Sequence, residues 1–364
     1  MGRHVAICLA TTPRILCFGK LRSRDTFFLT RTQHYGNDKQ QVSGQNDLRT
    51  ERIKIRSHDG EILELDAVIQ DTIPSVQSVA SVIACHGAPG SHNDFKHFLP
   101  FLKDRTIRFI GINFPGFGFT SPDSRLRHEN RERLDFVKEI VERLKLNENL
   151  IFVGHSRGSV TALKLGAIFK RIQDRTTAVV LVNPMGLINH RAIRPFWKLR
   201  LFVWMWNLGW VMQSIMRPLI YLAYKYLLKI RAETGEIAAT CVRTIRSVDL
   251  ASQKDYIRIL NDSNVRVFIV HAGRDWFIEP EISEHFANSF SGIKKLTCRA
   301  GPEGEHLASV EVKRLIDEGE RRIAVYFPHD GHFLQKHRAK FLVDAVYWML
   351  EDERTRHMRT KGRL

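Results

Sequence analysis

The sequence predicts an α/β fold: an eight-stranded, mostly parallel sheet with helices on both faces and a helical cap inserted late in the chain. Three observations lead there. Short apolar runs of the fully buried kind recur from residue 80 onward, helical patterns fall between them, and the runs end in glycine, proline or other turn-forming residues. Strands that alternate with helices at this spacing pair in parallel, because each helix returns the chain to the same end of the sheet.

The elements follow in order. Residues 51–57 and 61–70 alternate apolar and polar on either side of Asp59-Gly60, which reads as a hairpin at an antiparallel sheet edge. Ala80–Cys85 is a buried strand, 92–103 has helical spacing, and 108–113 is the next strand. Residues 129–146 form an amphipathic helix, 151–153 a strand, 160–172 a helix and 178–182 a strand. Two late strands, 265–271 and Arg322–Phe327, precede a closing helix over 334–351, and a polar insertion at 291–321 separates them. A single large domain over 51–350 accounts for all of this, flanked by basic segments at 1–50 and 351–364.

Charge and cysteine usage narrow the setting. The chain carries 56 Lys and Arg against 39 Asp and Glu, a formal charge of +17, which suits nucleic acid, an anionic surface or an anionic substrate. Five scattered cysteines without a C-x-x-C pair give neither a disulfide framework nor a zinc site, so a reducing compartment is expected. Within 1–50, eight Lys or Arg face only Asp25, Asp38 and Asp47. Such a start resembles a mitochondrial presequence; a solvated basic tail is the other reading, and Pro13-Arg14 interrupts the apolar run a secretory signal needs. The expected location is therefore mitochondrial or cytoplasmic. Nucleic-acid binding is poorly supported, since the positive charge lies on the N-terminal arm and the cap without a recognition motif. No metal-ligand cluster or phosphate loop is present in the sequence, and no cofactor is expected.

The segment that carries chemistry is Gly154-His155-Ser156-Arg157-Gly158, where an apolar strand turns directly into a helix. A turn this sharp leaves no room for flanking side chains, so Gly154 and Gly158 permit it while Ser156 stands exposed as a candidate nucleophile. Two further loops at strand ends accompany it, His86-Gly87-Ala88-Pro89-Gly90 and Phe114-Pro115-Gly116-Phe117-Gly118. In this order the three motifs resemble the α/β-hydrolase superfamily over roughly residues 51–350. Residues 86–95 are particularly similar to a poorly characterised invertebrate branch of unknown function.

The resemblance implies an oxyanion hole from the backbone N–H groups of Ala88 and Arg157, and an acid and a histidine following the serine, each after a late strand. The positions that match are Asp275, in Gly273-Arg274-Asp275-Trp276, and His332, in Gly331-His332-Phe333. His329 and His337 are then surface histidines, and Asp330 is a turn former, too near His332 in sequence to face its Nδ1. Asn183-Pro184 leaves vacant the alternative acid position that some relatives use. Asn113 replaces a common Asp, a change expected to matter for loop hydrogen bonding more than for chemistry. His155 is expected to pack beside the elbow, and Arg157 reads either as a substrate-facing cation or as a salt-bridged helix start.

Residues 184–252 are the expected cap. From 190 to 231 the segment has eight Lys or Arg and no Asp or Glu, and 201–216 is free of formal charge and rich in Trp. Apolar surface flanked by cations suits either helices roofing a pocket or peripheral contact with an anionic membrane; the run is too short for a spanning helix. The expected activity is that of a serine hydrolase cleaving a carboxylic ester with an apolar or lipid-like part through an acyl-enzyme. Acyl transfer, another reaction of this superfamily, or a catalytically silent binding protein are the alternatives, while Ser156 disfavours an aspartate-nucleophile dehalogenase or epoxide hydrolase.

Overall fold

The computed structural model describes residues 47–72, 78–146, 149–230 and 232–361. Residues 1–46 of the basic segment on which the presequence reading rests lie outside them, as does Arg231. The chain builds a sheet in the order β1-β2-β4-β3-β5-β6-β7-β9-β8. β1 (Leu48–Arg56) and β2 (Ile62–Asp71) form the expected hairpin, turned by Gly60 at φ 89°, where a side chain would be strained. Among the described residues only β1–β2 and β2–β4 are antiparallel. The remaining strands, β3 (Ala80–Cys85), β4 (Ile107–Ile112), β5 (Asn149–His155), β6 (Thr176–Val182), β7 (Arg266–Ala272), β8 (Lys294–Thr297) and β9 (Arg322–Phe327), are joined by parallel pairs.

Alternation along the strands divides the core in two. Ile83 and Cys85 of β3 join one buried cluster with Phe152 and Leu163, whereas Val82 and Ala84 join another with Val153, Phe268 and Phe341. Both faces are thus covered, which is why these strands read as continuous apolar runs rather than alternating ones.

Two expectations are corrected. The sheet has nine strands rather than eight: β8, Lys-Lys-Leu-Thr, is a largely exposed edge strand whose pairing with β9 gives it no apolar signature. The closing helix Ala339–Lys361 continues past residue 351 into the segment expected to be a tail. The charge-free run 201–216 divides at 207–209, with Gly209 at φ 110°, between the helices Phe196–Trp206 and Trp210–Leu222. Among the described residues no helix is long and apolar enough to cross a membrane.

Candidate active site

The elbow forms as its glycines require. Ser156 joins β5 to the helix Arg157–Gln173 at φ 51°, ψ −120°, a conformation costly for a residue with a Cβ. A Cβ on Gly158 would lie 2.0 Å from the Cys85 carbonyl oxygen, and one on Gly154 would lie 2.6 Å from that of Gly158, so neither position admits a side chain. Ser156 alone in the stretch 151–160 is not buried. Its N–H donates to Val182 O at 3.0 Å, tying the turn to the neighbouring strand.

Asp275 and His332 come together from the ends of β7 and β9. His332 Nδ1 donates to Asp275 Oδ2 at 2.7 Å, and the carboxylate is nearly inaccessible, at 1% side-chain exposure. Asp275 Oδ1 accepts from the N–H groups of Phe277 (2.8 Å) and Ile278 (3.1 Å), so both of its oxygens are engaged. His332 and Ser156 line one cavity of about 510 Å³, together with Gly87 and Ala88 of the loop after β3. That loop lies over the serine: a Cβ on Gly87 would come within 3.3 Å of Ser156 Cβ.

The surrounding groups were only partly foreseen. The His332 carbonyl is held from two sides, by His155 Nε2 at 2.8 Å and by Asn183 Nδ2 at 2.7 Å. A carbonyl only accepts, so His155 carries its proton on Nε2; burial lowers its pKa to about 3 and keeps the ring neutral. Asn183 Oδ1 in turn accepts from Ala272 N at 2.9 Å, so the residue read as a vacant acid position instead fastens the loops after β7 and β9 to each other. His86 Nδ1 donates to Gly87 O at 2.6 Å while its Nε2 accepts from Phe114 N at 3.2 Å, joining the two glycine loops; burial lowers its pKa to about 3 as well. Asn113 does act in loop bonding, accepting from His92 N and Nδ1 and donating to Val68 O. Asp330 accepts from Arg338, and His329 and His337 are exposed.

Arg157 corrects both of its readings. Its side chain is completely buried and faces no carboxylate: it donates to Asn130 Oδ1 at 2.8 Å and toward Thr244 O at 3.4 Å. Burial, with Arg133 nearby, pushes its pKa well below the ordinary value. Asn130 Nδ2 bonds Asp249 O, so this arginine ties the elbow helix to the late part of the insertion. Nothing in a G-x-S-x-G pattern reports such a partner.

The cavity wall opposite the serine comes from residues 184–252, with Leu199, Phe202, Ile220 and Tyr224 supplying apolar surface and Arg191, Arg194 and Lys198 positive charge. Among the described residues no group of three His, Cys, Asp or Glu side chains is gathered to hold a metal ion.

Residues 46–351 match the family described as alpha/beta hydrolase of unknown function (DUF1057). The chain belongs to that family. An uncharacterised Caenorhabditis elegans protein is 27% identical over 292 residues, 79% of this chain and 82% of its own length. An esterase from Exiguobacterium antarcticum superposes over 82% of this chain and 99% of its own, with TM-score 0.52 at 16% identity. The haloalkane dehalogenase DbeA from Bradyrhizobium elkani superposes over 85% and 99%, with TM-score 0.56 at 13% identity. Likeness at these identities extends to the fold alone.

Proposed function

We propose that this chain is a serine hydrolase that cleaves a carboxylic ester with an apolar acyl or alcohol part. The observation that carries the reading is the 2.7 Å bond from His332 to a buried Asp275, with His332 and the strained Ser156 lining one largely apolar cavity. Because Nδ1 is committed to Asp275, Nε2 is the basic nitrogen of the ring. It accepts the Ser156 hydroxyl proton as Oγ bonds to the ester carbonyl carbon, and the carbonyl π electrons move onto oxygen. The N–H groups of Ala88 and Arg157 stabilise that oxyanion; Arg157 begins its helix, where N–H groups lack intrahelical acceptors.

Collapse of the intermediate breaks the bond to the alkoxy oxygen, which leaves as the alcohol with the proton from His332. Water then attacks the acyl-enzyme, giving its proton to His332, and the second collapse releases the acid and returns the proton to Ser156. Asp275 keeps its negative charge and stabilises the imidazolium in both halves.

Covalent labelling tests the reading. A fluorophosphonate should label the wild-type chain and fail to label Ser156→Ala, since only an activated serine attacks the probe quickly. A folded wild-type chain that resists labelling would favour a silent binding protein on this fold.

A further inference from the structure

The helices Phe196–Trp206 and Trp210–Leu222 are apolar on both sides. Their inner residues, among them Leu199, Phe202 and Ile220, line the cavity, and Trp206 packs with Met216 and Ala239. A helix covering a pocket in water ordinarily turns charged residues outward. Here Trp197, Leu201 and Trp204, with Leu208 just past the helix end, recur at i, i+4, i+7 and i+11 and are exposed, and Val211, Ile215, Leu219 and Leu222 follow at i, i+4, i+8 and i+11 on the second helix. Trp204 is 60% exposed and Trp210 77%, and the following turn adds Tyr226 and Leu227 at 62% and 81%. Scattered apolar residues on a surface need no explanation, whereas this many on adjacent elements form a continuous face.

We infer that this outer face docks in the interfacial layer of an anionic lipid bilayer, and that the insertion thereby brings the cavity to the membrane surface. Charge selects the occupant. Arg200, Lys225 and Lys229 are exposed around the face and make no ion pair among the described residues, while the segment 190–230 has no Asp or Glu. A second copy of the chain would bring the same unpaired cations, and a net charge of +17, against them. Anionic headgroups meet the cations while the Trp and Tyr rings take the boundary position they favour. No helix among the described residues is long and apolar enough to cross the hydrocarbon layer, so these helices would lie along it. A lipid ester leaving the bilayer would meet Arg191, Arg194 and Lys198 in the cavity wall before Ser156.

The docking goes beyond the hydrolase reading and does not depend on it. The full chain is sedimented with vesicles of phosphatidylcholine alone and of roughly 3:1 phosphatidylcholine to phosphatidylserine, at low and raised salt. Wild type and Ser156→Ala should pellet equally with the anionic vesicles, and less so at raised salt. Trp204→Ser with Trp210→Ser should lower that affinity about tenfold or more, and Arg200→Gln with Lys225→Gln and Lys229→Gln by about 10²-fold or more, the latter with weaker salt dependence. None of the substituted Trp, Arg and Lys positions lines the cavity, so short-ester turnover of those variants should stay at the wild-type level; the charge variants preserve the test if the Trp variants fold poorly. Wild type that stays in the supernatant overturns the inference. So does binding that survives both sets of substitutions, which would assign it elsewhere in the chain, or a wild-type dimer by light scattering that the Trp substitutions convert to monomer.

Discussion

On the sheet side of the cavity, Asp275, His332 and His86 are each fixed by hydrogen bonds, several of them to backbone groups, whereas the insertion side meets the cavity mainly through apolar side chains. Hydrogen bonds are directional and set atoms to within tenths of an ångström; apolar contact fixes volume and leaves shape adjustable. The difference separates two tasks. On the proposed reading, the sheet wall aligns groups for one reaction and the insertion determines what reaches them. Each substitution below attacks one wall and should leave the other's property intact.

The largest effect is expected on the sheet wall. Asp275→Asn keeps an acceptor for Phe277 N and Ile278 N, so the loop should hold and the melting temperature should change little. The amide must then present its NH₂ to His332, which forces the other tautomer. Turnover of a short soluble ester should fall about 10⁴-fold. Near-wild-type turnover would move the acid to another residue.

Breaking the other wall should cost stability. Trp206 is 4% exposed and stacks on Phe202 with ring centroids 5.9 Å apart. Trp206→Ala should lower unfolding free energy by about 3–5 kcal/mol, measured by denaturant titration, because it removes an aromatic from a small cluster with little else to fill the space. The surviving folded fraction should still label with fluorophosphonate.

The sequence revealed the two walls unequally. Strands buried on both faces, and a serine between glycines that cannot carry a Cβ, leave compositional marks, so β3 to β7, β9 and Ser156 were legible; Asp275 and His332 came only from what the family resemblance implies. Asn183 was read only as the absence of an acid, since a side-chain amide that bridges two distant loops has no local pattern. Arg157 beside the serine suggested a substrate-facing cation or a salt-bridged helix start; its buried partners, Asn130 and Thr244, lie 27 and 87 residues away. β8 was missed because an exposed polar edge strand resembles a loop. The insertion's composition allowed either a roof or a membrane surface; in the fold its inner side chains line the cavity and its outer ones are exposed.

Acid should weaken both walls over one pH window. Burial lowers the pKa of His86 and His155 to about 3 and of His190 and His271 to about 4, from an ordinary 6.5. Each favours the neutral ring in the folded chain, so its contribution is complete above pH 6.5 and is lost as pH falls toward the folded values, where the unfolded chain binds the proton. The slope should approach about 1.4 kcal/mol per pH unit for each such histidine. Unfolding free energy measured at intervals between pH 7 and pH 4 tests this, and His271→Phe should flatten the curve. A flat profile would mean these rings are charged or hydrated in the fold.

The smallest expected effect divides the insertion itself. Trp210 belongs to the same helix system as Trp206 but is 77% exposed, at the first position of its helix. Trp210→Ser removes no buried area of consequence, keeps the backbone carbonyl that accepts from Ser214 Oγ, and replaces one moderate helix former by another. Unfolding free energy should therefore change by less than about 0.5 kcal/mol. For a domain of this size that is a melting shift of about 2 °C or less. A loss approaching that of Trp206→Ala would mean that the outer face packs against protein and belongs with the roof. A negligible loss would leave Trp210 without a folding role and sharpen the division between an inner face that shapes the cavity and an outer face free to meet lipid.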